Sequence, residues 1–323
     1  MRRPPTWGLV ATIKAPATEI LNFAAHHIEL GAHRLHIYLD EDNPAARAAL
    51  KAHPKCRVTV TDAAYWKRRR GHRGRPGAHQ PRQSFNATHC LNKRPQVDWL
   101  THIDVDEFLW PERPLPQQLA ALPPETFSAR VRPIEALAPD PADPPSPGTT
   151  WFKACARLLG TRRDQTDQIY PEFGPHLDGG FVSHVAGKVF VRTDVEGASL
   201  RIHNALRDGT KDPAPMELHE TALCHFHAPD WPRWLSAYRF RLARGSYREG
   251  LKPAPLSGPE GLNMNALFTR LEAQGGEAAL ARFFAEVCTA TPALRSALSA
   301  HGLLRGLALD LDAKRARHFP DFA

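Results

Sequence analysis

Residues 97–111 read VDWLTHIDVDEFLWP. Asp104, Asp106 and Glu107 crowd the end of an apolar run, where like charges side by side cost folding energy unless something neutralises them. Read as the end of a strand, residues i and i+2 point the same way with α-carbons about 6.5 Å apart. Asp104 and Asp106 then share one face, and Ile103 and Val105 pack on the other. Two such carboxylates suit a hard divalent cation, Mg²⁺ or Mn²⁺, which takes oxygen ligands and often only one or two protein carboxylates beside substrate phosphates. The competing reading is an acid cluster paired with local arginines.

Other residues could add to that chemistry. His225 and His227 alternate in LCHFHAPDW, a spacing that can bring one imidazole to a metal but is more often structural. In DGGFVSHVAGKVFVRT, Gly179 and Gly180 allow close backbone approach and Asp178 is a possible general base for a hydroxyl. The alternative is a turn that Asp178 opens. Lys188 and Arg192, four apart on a strand, face the same side. Asp40 ends another apolar run, as a ligand contact or a turn cap. Arg82, Gln83 and Asn86 share one helical face, either toward a ligand or toward solvent. His203 is a further histidine without a ranked role.

These residues need a frame. WGLVATIK, RLHIYLD, CRVTVTDA and DWLTHIDVDEF read as strands, and helical patterns fill the intervals between them. The rhythm predicts an α/β fold with a mostly parallel sheet, in which ligands sit beyond the carboxyl ends of the strands. Asp40 and the Asp104/Asp106 pair lie at two such ends. Residues 111–150 are rich in proline and read as an irregular surface excursion. From about 233 the pattern turns helical. The sequence thus predicts an α/β domain over 1–232 and a helical extension over 233–323.

The chain has 323 residues, 42% of them hydrophobic, enough for a sizeable core. No apolar run reaches the roughly 18 residues of a spanning helix, and the first residues read as a core strand, without the apolar stretch of a signal peptide. Five scattered cysteines without a C-x-x-C pattern fit a reduced, cytoplasmic setting better than a disulfide framework. The net charge of +8 is concentrated in KRRRGHRGR, residues 67–75, whose six lysines and arginines leave about +2 for the rest. That segment could meet nucleic acid, anionic lipid or a polyanionic substrate, or simply be a solvated loop. No recognisable nucleic-acid motif accompanies it, and no nucleic-acid partner is expected.

The stretches IKAPATEILNFAAHHIELGAHRLHIYLDEDN, RQSFNATHC and DWLTHIDVDEFLWP together resemble the bacterial family-2-like glycosyltransferases whose hallmark is an Asp-x-Asp-Glu-Phe segment. The resemblance spans about residues 7–230. It implies a GT-A fold, one Rossmann-like domain for a nucleotide sugar (a UDP-sugar first), with Mn²⁺ or Mg²⁺ on the Asp-x-Asp. Asp106 would hold the metal and Asp104 would reach the metal, its water or the donor ribose. Glu107 would orient them, and His227, favoured over His225, would be a distant third ligand. Asp40, Arg82, Gln83 and Asn86 would meet the nucleotide, Lys188 or Arg192 the departing diphosphate, and Asp178 would be the base. The implied acceptor is a carbohydrate or lipid-linked hydroxyl in surface polysaccharide or glycoconjugate synthesis, with peripheral contact at the inner membrane face and inversion at the anomeric carbon.

Overall fold

The computed structural model describes residues 3–250, 252–258 and 261–322. In chain order it runs β1 (Trp7–Ile13), α1 (Ala17–Glu29), β2 (Arg34–Leu39), α2 (Pro44–Ala52), β3 (Cys56–Val60), α3 (Ala63–Arg70), α4 (His79–Asn92), β4 (Trp99–His102), β5 (Glu107–Pro111), α5 (Leu115–Ala120), β6 (Ser128–Ala136), β7 (Thr149–Lys153), α6 (Leu159–Ile169) and β8 (Lys188–Arg192). The chain divides into two compact units. The first comprises the chain up to Arg132, Ala186–Leu223 and the chain from Asp310; the second comprises Pro133–Val185 and Cys224–Leu309. Residue 233, the boundary read from the sequence, lies inside the second.

In the first unit, β3, β2, β1 and β4 are neighbours in that order and run parallel. β8 continues the sheet antiparallel to β4, and β6 follows antiparallel to β8. The expected α/β class is observed; its parallel character belongs to the first four strands. All seven residues of β1 are buried, as a central strand covered on both faces requires. Gly8 of β1 is dictated by packing, since a Cβ there would sit 2.7 Å from the Arg34 carbonyl oxygen. One face packs Val10, Tyr38, Trp66, Leu91, Leu100 and Val191 into a common core. The chain winds outward from β1 to β3, then returns to place β4 on the other side of β1. The carboxyl ends of β1 and β4 therefore flank the switch point where doubly wound sheets bind ligands.

Two expectations change. The basic segment is helical for its first half: the Asp62 side chain accepts the Tyr65 N–H at 2.7 Å and caps α3. The proline-rich stretch is also more regular than its composition suggests. Pro114 caps α5 and Pro116 sits in its first turn, where a missing N–H costs nothing. Pro133 stands between the residues of β6 that pair with β8 and those that pair with β7. Residues 112–114, 121–127 and 137–148 lack helix and strand, apart from isolated bridges.

The second unit contains the end of β6, β7 and Leu304–Ala308 as an antiparallel set. Helices α6, Trp231–Arg244, Met264–Cys288 and Pro292–Ala300 accompany it. Its core is aromatic: Trp234, Tyr238, Tyr247, Phe268, Phe283 and Phe284 pack together. The unit also holds a buried ion pair, with Lys153 Nζ 3.2 Å from Glu135 Oε2. Lys153 also donates to the carbonyls of Gly180 (2.6 Å) and Val287 (2.7 Å), and Glu135 accepts the N–H groups of Val182 and Ser183. No disulfide links the five cysteines. Among the described residues no helix is long and apolar enough to cross a membrane.

Candidate active site

The acidic segment of the first unit is a turn, and strand alternation does not govern it. β4 stops at His102, and Asp104 and Asp106 stand in the connection to β5. The Glu107 N–H donates to the Asp104 carbonyl at 3.1 Å and closes the turn. The Glu107 side chain bends back, accepting the Asp104 N–H on Oε2 at 2.8 Å. Glu107 thus holds the turn that carries Asp104 in its shape.

Asp104 is tied down at both oxygens. Gln83 of α4 donates to Oδ1, and Lys188 at the start of β8 donates to Oδ2 at 2.6 Å. The same ammonium lies 3.2 Å from Glu107 Oε2. The Lys188 side chain is fully buried, Glu107 likewise, and Asp104 keeps 27% of its side chain exposed. Burial alone would raise the Asp104 carboxyl; the neighbouring Lys188 charge overrides it and holds Asp104 far below the usual carboxylate range. Burial pushes the Lys188 ammonium down, but Asp104 and Glu107 together keep it above its ordinary value. Lys188, expected to face the departing diphosphate, thus has its ammonium on the first aspartate. Gly187 lets β8 begin there: its φ is +68°, and a Cβ would stand 2.0 Å from the Val131 carbonyl oxygen.

A second cluster surrounds Asp40 beyond β2. Arg82 approaches Oδ2 through Nη2 at 2.8 Å and Nε at 2.9 Å, and Arg75 follows at 3.1 Å. His79 lies 3.7 Å away and the Thr61 hydroxyl donates to Oδ1 at 3.4 Å. Burial works against the Asp40 charge, but His79, Arg75 and Arg82 outweigh it and depress the carboxyl well below its ordinary range. Asn86 donates to the Thr12 hydroxyl at 3.1 Å and accepts the Tyr65 hydroxyl at 2.7 Å. Arg82, Gln83 and Asn86 therefore share the face of α4 that the sequence indicated, and that face is buried. It ties β1, β2 and the acidic turn together.

His102, the last residue of β4, had no part in the sequence reading. It is 2% exposed, and neither ring nitrogen has a hydrogen-bond partner among the described residues. Burial, then the charge of Lys188, lowers it to about 3. Its signal was available: it precedes Asp104 by two residues. His203 Nδ1 lies 3.0 Å from the Gly187 carbonyl, and burial followed by Lys188 lowers the ring to about 4. Arg192 stacks over Trp99 at 4.5 Å and donates to the Thr126 carbonyl, a packing role.

The remaining expected residues lie in the second unit. Asp178 opens the turn that pairs with Phe181, and the Arg162 guanidinium sits 2.7 Å from its carboxylate. His227 Nε2 is 2.8 Å from the Tyr247 hydroxyl; burial, then Arg241, holds the ring well below its ordinary value. His184 and His225 stand 5.6 Å apart between ring centroids and can bring nitrogens within 4.8 Å of one another. His184 carried no local signal, because only the fold sets it beside His225.

The model of glycosyltransferase family 92 matches residues 10–246, most of the chain. The chain belongs to glycosyltransferase family 92. The glycosyltransferase class implied by the sequence holds, and the family that matches is 92; the family-2-like branch rests on the sequence resemblance alone. No curated protein sequence matches this family 92 chain. Three solved structures are distantly similar in backbone. One is a galactosyltransferase, LgtC, in complex with donor and acceptor sugar analogues, at 14% identity and a TM-score of 0.27. The likeness covers 58% of each chain, so the family 92 chain spans little more than half of LgtC. HddC from Yersinia pseudotuberculosis is 7% identical, with a TM-score of 0.30 over 59% of this chain and 78% of its own. A mannose-1-phosphate geranyltransferase from Thermus thermophilus is 9% identical, with a TM-score of 0.24 over 93% of this chain and 68% of its own.

Proposed function

We propose that this glycosyltransferase moves a sugar from a nucleoside-diphosphate donor, a uridine diphosphate sugar first, to an acceptor hydroxyl, with a divalent cation at the Asp104–Asp106 turn. The observation that carries the reading is the framed acidic turn at the switch point of a parallel sheet, on a chain of family 92. The donor set fits a hard cation: carboxylate oxygens from Asp106 and Asp104, with no thiolate among them. A bound Mn²⁺ or Mg²⁺ would act as a Lewis acid on the leaving diphosphate.

The chain's own residues do the positioning. Gln83, Lys188 and Glu107 orient Asp104, and Asp106 completes the pair from the same turn. Asp40 acts through the arginines it holds, setting Arg75 and Arg82 beside the end of β2. The acceptor we propose is a carbohydrate or lipid-linked hydroxyl, with the exposed cations of α3 meeting an anionic surface on the cytoplasmic side.

The test is a hydrolysis and transfer screen across UDP-, GDP- and CMP-sugars with and without Mn²⁺. Turnover of one diphosphate donor that disappears with chelator is the expected result. Equal turnover with chelator present overturns the metal site, and turnover of the CMP-sugar alone overturns the diphosphate donor.

A further inference from the structure

The Lys188 ammonium bridges Asp104 and Glu107 at the turn proposed to receive a divalent cation. We propose that Lys188 is an internal counter-cation that keeps free metal weakly bound and makes metal binding depend on the nucleoside diphosphate. This rests on the proposed donor site and deepens it.

The argument is electrostatic. Lys188, Glu107 and Asp104 lie within hydrogen-bond reach of one another, two of them fully buried. Both Asp104 oxygens already accept hydrogen bonds, from Gln83 and from Lys188. A cation arriving alone meets a turn whose charge the ammonium has partly cancelled, and it meets repulsion from that ammonium. A cation arriving with a diphosphate brings added negative charge, which compensates the ammonium and supplies oxygen ligands. Lys188 therefore opposes the first situation far more than the second. It is a positioning residue: it acts through Asp104 and the local potential, and its charge persists throughout.

The experiment measures Mn²⁺ affinity by electron paramagnetic resonance and by calorimetry, with and without UDP, for the full chain and for Lys188→Met, Lys188→Gln and Lys188→Arg. The native protein should bind Mn²⁺ at least tenfold more tightly with UDP than without it. Neutralising Lys188 should tighten nucleotide-free binding by roughly ten- to a hundredfold, the order expected for removing one nearby positive charge. Lys188→Arg should keep the native dependence. Unchanged or weaker nucleotide-free affinity in a folded neutral variant overturns the proposal. Tight nucleotide-free binding by the native protein overturns it without any variant. If the native protein binds no Mn²⁺ even with UDP, GDP or CDP, the metal reading itself falls and takes this inference with it.

Discussion

Lys188 Nζ stands 2.6 Å from Asp104 Oδ2, although 84 residues separate the two in the chain. Asp104 is thereby part of the fold as well as of the candidate site, whereas Asp106 lies half-buried in the turn. The two aspartates should respond differently to removal. Asp106→Ala should abolish metal-supported donor turnover, by a hundredfold or more. Asp104→Ala should lose turnover and also about 1–3 kcal/mol of stability, because it leaves the buried ammonium with Glu107 alone. Matched thermal melts and donor hydrolysis assays decide it; unchanged turnover in folded Asp106→Ala would remove that residue from the site.

Gln83 offers a milder lesion. Its amide fixes Asp104 Oδ1, and the residue is 4% exposed. Gln83→Leu keeps the volume and removes the donor, so Asp104 loses orientation without losing Lys188. The expected signature is a donor KM raised several-fold and an apparent Mn²⁺ requirement shifted upward, with a smaller change in kcat. An unchanged KM would mean that Gln83 serves packing only.

How much of this was legible beforehand depends on the distance over which each feature is decided. The face shared by Arg82, Gln83 and Asn86 follows from helical spacing and was readable. So was the alternation of strands and helices from residue 7 to 102, because apolar periodicity is local. The Asp104–Asp106 geometry was misread as strand because the apolar run continues through Phe108 and Leu109, and only the Glu107–Asp104 hydrogen bonds reveal the turn. Lys188 reads from the sequence as a cation for the departing diphosphate; its contact with Asp104 does not, since that contact exists only once β8 pairs with β4. His102 was overlooked beside the acids; a buried histidine declares itself by burial, which sequence does not print. The prolines of 111–150 suggest irregularity, yet Pro114, Pro116 and Pro133 occupy a helix cap, a first turn and a change of strand partner, positions where proline is tolerated.

Acid sensitivity should arise partly from α1. His26 is fully buried, with Nε2 2.8 Å from the Leu109 carbonyl and Lys314 Nζ 3.3 Å from Nδ1; His27 and Glu29 are its other ionisable neighbours. Burial lowers its pKa from 6.5 to about 4. Below pH 6.5 the unfolded chain takes up a proton that the folded chain refuses, so stability falls with pH until about pH 4 and flattens there. One such histidine accounts for at most about 3 kcal/mol over that window. His26→Gln, which retains a donor for Leu109, should lose less stability between pH 6.5 and 4.5 than the native protein in denaturant titrations. Parallel stability curves for the two proteins would show that His26 is not the group responsible.

In the second unit, Lys153 and Glu135 form a buried pair that also anchors the turn from Asp178 to Ser183. Lys153→Met or Glu135→Gln alone leaves the partner without its charge complement and should cost about 3–5 kcal/mol. The double variant should cost clearly less than the two single losses together, with a coupling of at least about 1 kcal/mol. Urea titrations of all four proteins measure the cycle. Strict additivity would reduce the pair to two independent sets of hydrogen bonds.

The last prediction concerns the exposed cations of α3 and the turn after it. Arg69 leans over the Tyr65 ring, Arg70 over Phe85 with a hydrogen bond to Gly74, and Arg75 pairs with Asp40, so these three are already engaged within the chain. Lys67, Arg68 and Arg73 are exposed and have no partner among the described residues. They are the cations available to an anionic surface, acting on encounter and not on chemistry, with a reach that salt limits to about 10 Å at 0.1 M. Replacing Lys67, Arg68 and Arg73 together by serine should weaken sedimentation with vesicles containing phosphatidylglycerol and slow transfer to an acceptor embedded in them. The difference from the native protein should shrink as salt rises, while hydrolysis of the free donor and the melting temperature stay unchanged. If donor hydrolysis falls as much as transfer does, these cations belong to the nucleotide site. If vesicle binding is unaltered at low salt, the basic face has another partner.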